Sequence, residues 1–147
     1  MSRSTRLLFP DVNVWLALSH QIHVHHERAV RWFGTLGPES VLAFSRQTQM
    51  GWFRLLTTRA VMGDEALTNR SCWSLYRYWI ASGKAVLLAE ESGIEQRFEQ
   101  MSWAGESSPK LWMDAYLAAF AEAGKLPLVT FDRALAARVS GAFLLEK

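Results

Sequence analysis

Five short apolar runs recur along the chain: Arg6 to Pro10, Ser40 to Ala43, Ala85 to Leu88, Leu126 to Thr130 and Ala142 to Leu145. Each has the length and composition of a β-strand. Between them the apolar positions return every three to four residues, the period of a helix with one buried face. Ala29, Trp32, Phe33 and Leu36 form one such stripe. Gln49, Trp52, Phe53 and Leu56 form a second, and Cys72, Leu75, Tyr76 and Trp79 a third. Ser92 and Glu95 have capping-box spacing ahead of Ile94, Phe98 and Met101. Ser108-Pro109 reads as the cap and first helical position of a helix from Leu111 to Gly124. Strands alternating with helices predict an α/β fold, a parallel sheet covered on both faces. No repeat, low-complexity tract or linker interrupts the pattern, so residues 1–147 are expected to form a single domain.

Three aspartates break the apolar pattern. Asp11 ends the run Leu7-Leu8-Phe9-Pro10, and Asp132 follows Leu126-Pro127-Leu128-Val129-Thr130-Phe131. Asp114 is the only charge in the stretch from Leu111 to Phe120. In a parallel α/β sheet, sites form beyond the carboxyl ends of the strands, which puts Asp11 and Asp132 on the same edge. Either could simply cap a following helix, Val12 to Ser19 or Arg133 to Val139. Asp114 is expected about six residues into its helix, among Leu111, Leu117, Ala118 and Ala121, where capping does not apply. Its ordinary alternative is a buried ion pair with Lys110 or Arg133. Burying one unpaired carboxylate costs several kcal/mol, roughly, and three together repel one another. A divalent cation held by hard oxygen ligands is the usual remedy. The three acids thus predict a metal site.

Composition narrows the setting. Half the residues are hydrophobic, which argues against disorder over most of the chain. Cys72 is the only cysteine, so an internal disulfide and a thiolate zinc cluster are excluded. No apolar run approaches the ~20 residues that span a bilayer, and Leu7-Leu8-Phe9 is too short for a signal-peptide core. The chain reads as cytoplasmic, with no membrane partner. Net charge is +2, but with the three aspartates neutralised, 16 basic residues would face the remainder of 14 acidic ones. Such a surface tolerates a polyanion.

Other polar and aromatic positions are less decisive. Gln49 begins an apolar stripe, so its amide should point inward, either as a satisfied core group or as a site residue. His20, His23, His25 and His26 cluster, but nothing distant completes a zinc set, and a helix-entry or packing role is expected. Of the seven tryptophans, Trp32, Trp52 and Trp79 lie on the apolar stripes. Trp15, Trp73, Trp103 and Trp112 are left open between packing and base stacking. Arg46, Arg54, Lys110 and Arg133 are candidate phosphate contacts or ordinary surface charges.

Four segments, taken in order, resemble a PIN-domain ribonuclease of the VapC toxin type. They are Leu8-Phe9-Pro10-Asp11-Val12-Asn13-Val14-Trp15-Leu16-Ala17, Thr48-Gln49-Met50-Gly51-Trp52-Phe53-Arg54-Leu55-Leu56-Thr57, Trp112-Met113-Asp114-Ala115-Tyr116-Leu117-Ala118-Ala119 and Leu128-Val129-Thr130-Phe131-Asp132-Arg133. His23-Val24-His25-His26 through Trp32-Phe33 fits as well, so the resemblance covers nearly the whole chain. It implies a three-layer α/β/α fold with a central, mostly parallel sheet. It also implies a Mg²⁺- or Mn²⁺-dependent endoribonuclease, a homodimer acting on RNA and inhibited by a VapB-type antitoxin. Asp11, Asp114 and Asp132 match the family's acidic metal positions, and Asn13 and Thr130 its supporting polar residues. The family commonly has glutamate where this chain has Gln49. In-line attack by metal-activated water on an RNA phosphodiester would then leave 5′-phosphate and 3′-hydroxyl ends.

Two rivals stand beside that reading. A PIN-like module without catalysis would bind RNA or protein and need no cation. An aspartate-nucleophile phosphatase would use Asp11, but such enzymes normally carry a second aspartate where Asn13 stands.

Overall fold

The computed structural model describes residues 5–146. All five apolar runs are strands of one sheet: β1 (Arg6–Pro10), β2 (Ser40–Phe44), β3 (Ala85–Leu87), β4 (Leu128–Thr130) and β5 (Phe143–Leu144). The helices are α1 (Val12–Ser19), α2 (His26–Gly34), α3 (Arg46–Leu56), α4 (Arg59–Met62), α5 (Asn69–Ala81), α6 (Ile94–Ser102), α7 (Leu111–Ala123) and α8 (Arg133–Ala137). A single 3₁₀ turn, Gly63–Glu65, follows α4. The order across the sheet is β3-β2-β1-β4-β5, and every pairing is parallel.

Strand alternation divides the core into two layers. Leu8, Leu42, Phe44 and Val129 face one cluster with Trp15, Trp32, Trp52, Leu56 and Tyr76. Phe9, Ala43 and Leu128 face the other, with Leu117, Phe120, Leu126 and Leu135. Successive strand residues point to opposite faces, so each strand serves both layers. The apolar stripes of α2, α3 and α5 pack in the first layer, and Trp15 is its centre. Its indole stacks on Phe44 at 3.9 Å and meets Trp79 edge-on at 5.1 Å. Cys72 is buried in the same layer, as a small hydrophobe should be.

Two helix starts differ from expectation. Gly93, not Ser92, is the N-cap of α6; it adopts φ 84°, and no side chain caps the helix. The left-handed glycine brings the chain into the helix by itself. Pro109 lies in a turn ahead of α7, closed by the Leu111 N–H on the Ser108 carbonyl at 3.1 Å, and Lys110 holds the N-cap position. Asp114 is therefore in the first turn of α7, not about six residues in. A carboxylate there is favoured by the unpaired N–H groups of the helix start.

The direction of chain travel reverses between β1 and β4. From β1 the chain moves outward through β2 to β3, whereas β4 and β5 lie on the other side. A crevice opens at such a switch point, beyond the carboxyl ends of the two strands.

Candidate active site

Asp11 follows β1 and Asp132 lies two residues beyond β4, so both stand at this crevice. Asp11 is 4% exposed. Its Oδ1 accepts the Val14 N–H at 3.1 Å, capping α1, and its Oδ2 accepts the Thr130 hydroxyl at 2.5 Å. Thr130 Oγ1 in turn accepts the Asp132 N–H at 3.0 Å. Asp132 Oδ1 caps α8 by accepting from Ala134 N at 2.9 Å and Leu135 N at 3.2 Å. The capping roles are thus real, and one threonine hydroxyl ties the two strand ends together. Capping does not use up a carboxylate, which has two oxygens and about four acceptor sites.

Burial differs among the three acids more than the apolar pattern implied. Asp11 is buried, Asp114 half-buried and Asp132 exposed. Asp114 sits near the open start of α7, beside exposed Trp112 and Met113. Asp132 lies outside the sheet, so water reaches it although its sequence neighbours are apolar. Neither proposed ion-pair partner serves Asp114. Arg133 pairs instead with Glu146 at 3.5 Å, and the cation that acts on Asp114 is Arg138.

Electrostatics couples the acids. Burial, only partly offset by the Thr130 hydroxyl and nearby backbone N–H groups, raises the Asp11 carboxyl from 3.8 to about 6, with Asp132 adding to the rise. Partial burial and then Asp132 raise Asp114, against the pull of Arg138. Asp132 therefore repels both other carboxylates. An oxygen-ligated divalent cation fits this set, because it would relieve that repulsion. Among the described residues, no group of three or more His, Cys, Asp and Glu is gathered closely enough to hold a metal on its own. Mg²⁺ suits such an open arrangement, since it keeps several of its waters.

The supporting residues fall into different places. Asn13 is exposed and lines a cleft of about 330 Å³ with Asp11 and Asp132, and its backbone N–H helps to lower the Asp11 carboxyl. Gln49 is buried in α3, where its Oε1 accepts from Arg46 Nη1 at 2.7 Å. Its Nε2 is buried without a hydrogen-bond partner. Neither Gln49 nor Asp114 lines the cleft, although the Gln47 amide reaches Met113 Sδ at 3.4 Å and links α3 to the start of α7.

Four cleft residues lie outside the site expected from sequence: His23, Val24, His25 and Phe131. Of the four histidines, His25 holds the N-cap position of α2 and His26 is its first residue, whereas His20 is the C-cap of α1 and His23 lies in the turn between them. His26 Nδ1 is 2.7 Å from the Ala17 carbonyl. Buried His20 has Nδ1 3.2 Å from Glu65 Oε2, without the geometry of a hydrogen bond. The usable signal was position: this turn follows α1, the helix that Asp11 caps.

No family model matches the chain. The protein named Ribonuclease VapC41, from two strains of Mycobacterium tuberculosis, is 42% identical over 132 residues, spanning 87% of this chain and 90% of its own. Among solved structures, Mycobacterium tuberculosis VapC20, described as a sarcin–ricin loop-cleaving toxin, superposes with a TM-score of 0.62 at 19% identity. That match covers 88% of this chain and 93% of VapC20. VapBC2 of Rickettsia felis, solved with a DNA fragment from its promoter, gives 0.57 at 11% identity, covering 96% and 98%. The two structures share the three-layer fold.

Proposed function

The chain belongs to the VapC ribonucleases, and on that premise we propose that it is a Mg²⁺- or Mn²⁺-dependent endoribonuclease restrained by a VapB-type antitoxin. The observation that carries the reading is the buried Asp11 carboxylate, held by Thr130 at the switch-point cleft it shares with Asp132 and Asn13. The name of the 42%-identical relative supports RNA as the substrate. The likeness of the fold to a toxin solved as a VapBC pair supports the antitoxin.

Asp11, Asp114 and Asp132 would hold the cation. When bound, it supplies positive charge to the scissile phosphodiester and acidity to the attacking water. Thr130 keeps the Asp11 carboxylate in one orientation, with a hydroxyl that cannot swing away while it also accepts from Asp132 N–H. Exposed Asp132 accepts a hydrogen bond from the attacking water and aligns it with phosphorus. Water adds at phosphorus and gives up a proton to solvent, the bond to the 3′ oxygen breaks, and that oxygen takes up a proton from solvent. The products carry 5′-phosphate and 3′-hydroxyl ends.

A cellular RNA pool incubated with the protein and Mg²⁺ or Mn²⁺ is expected to give discrete fragments, absent with EDTA and with Asp11→Asn. Equal cleavage by folded Asp11→Asn would remove Asp11 from the chemistry. No cleavage by folded, partner-free protein would favour a binding module, and Gln49→Glu would then ask whether the missing charge is the cause.

A further inference from the structure

Resting on the nuclease reading, we infer that His25, stacked on Phe131, is a shelf for a nucleobase beside the cleaved phosphodiester. The two rings lie 4.4 Å apart, inclined by 19°. Both border the cleft that holds Asp11, Asn13 and Asp132. One face of the half-buried imidazole is taken by Phe131, and the His23 ring meets it only at a tilt, 5.6 Å away and inclined by 49°, so it is not stacked on the other face. Proteins that read single-stranded RNA bind splayed bases on such aromatic surfaces.

The shelf is fixed before any ligand arrives. Phe131 is held between Thr130, in the sheet, and Asp132, which caps α8. On the other side, His23 N–H bonds the His20 carbonyl and His26 N–H the His23 carbonyl, each at 3.0 Å. His26 Nδ1 anchors the turn to Ala17. His25 N–H donates to His23 Nδ1 at 3.0 Å, so the neutral His23 ring carries its proton on Nε2. A turn tied at so many points does not pay the ordering cost a flexible loop would. Packing alone would explain the His25–Phe131 contact; it would not require the pair to border the carboxylate cleft.

The test measures binding in EDTA, where no cleavage occurs. Labelled single-stranded 12-mers of rA, rC, rG and rU are compared with an abasic ribose-phosphate 12-mer by fluorescence anisotropy. Wild type is expected to prefer at least one base-bearing 12-mer by about tenfold or more. His25→Ala should lose that preference while binding the abasic strand as wild type does, and His25→Phe should retain it. Preference undiminished in His25→Ala, or absent from wild type, overturns the shelf. Wild-type NMR needs no variant. His25 and Phe131 ring protons should move upfield with the preferred 12-mer and stay put with the abasic one, and unmoved rings also overturn it. Cleavage with Mn²⁺ is scored separately. Cleavage without base preference leaves the nuclease reading and removes the shelf; preference without cleavage does the reverse.

Discussion

Asp11 has two oxygens with separate duties, Oδ1 on the start of α1 and Oδ2 on Thr130. Neither bond outweighs burial, and the carboxyl rises to about 6. Its folded value lies above its unfolded one, so its contribution to stability is present below about pH 4 and is lost as pH rises through about 6. The shift corresponds to about 3 kcal/mol against the ionised form. In EDTA, urea unfolding should therefore show wild type losing part of that amount between pH 4 and pH 7.5, with a smaller loss for Asp11→Asn. An equal loss in both proteins would place the cost on another group. Protons also compete with a cation for these oxygens. Calorimetric Mn²⁺ affinity is expected to weaken about tenfold per pH unit below about 6. Affinity unchanged from pH 7.5 to pH 5 would exclude Asp11 as a ligand.

Between elements, the tightest constraint near the site is the contact of α3 with α1. A Cβ at Gly51 would stand 2.9 Å from Cγ2 of Val12, the residue after Asp11. Val12 is β-branched and in the first turn of a helix, so its rotamer has little freedom to yield. Gly51→Ala should push the start of α1 away from α3. A loss of about 1–3 kcal/mol in stability is expected, together with weaker Mn²⁺ binding because Asp11 moves with the cap. Thermal melts and titrations that match wild type would mean that the two helices slide apart at no cost. Capping at α1 and α8 has the same logic: each helix start fixes the backbone of the carboxylate that caps it.

Over the whole molecule, the sheet order brings together residues 119 positions apart, since Thr130 reaches Asp11 across the β1–β4 pairing. Large apolar side chains remain on the surface, Tyr78 at 72% exposed and Trp103 at 79%, with Trp73 and Trp112 also exposed. The 16.7 kDa chain is expected to sediment as a homodimer at tens of micromolar, and a monomer mass there would overturn that expectation. Among the described residues, no helix is long and apolar enough to cross a membrane.

By itself the sequence determined the five strands, the parallel α/β class and the strand-end positions of Asp11 and Asp132. Those features follow from local periodicity and composition, which are written in neighbouring residues. It did not determine helix starts where the backbone does the work, as at Gly93, nor the exposure of Asp114 and Asp132. Exposure depends on what packs against a residue, and an apolar neighbour in sequence need not cover it in space. Only the tertiary structure tied Thr130 to both strand ends, turned the Gln49 carbonyl to Arg46, and carried His23, His25 and Phe131 to the cleft. The Gln49–Arg46 bond lies within α3 and reflects a choice of rotamer, whereas the Thr130–Asp11 bond and the cleft are made across a switch point of the sheet, where residues distant in sequence meet because strand order, not spacing along the chain, sets their distance.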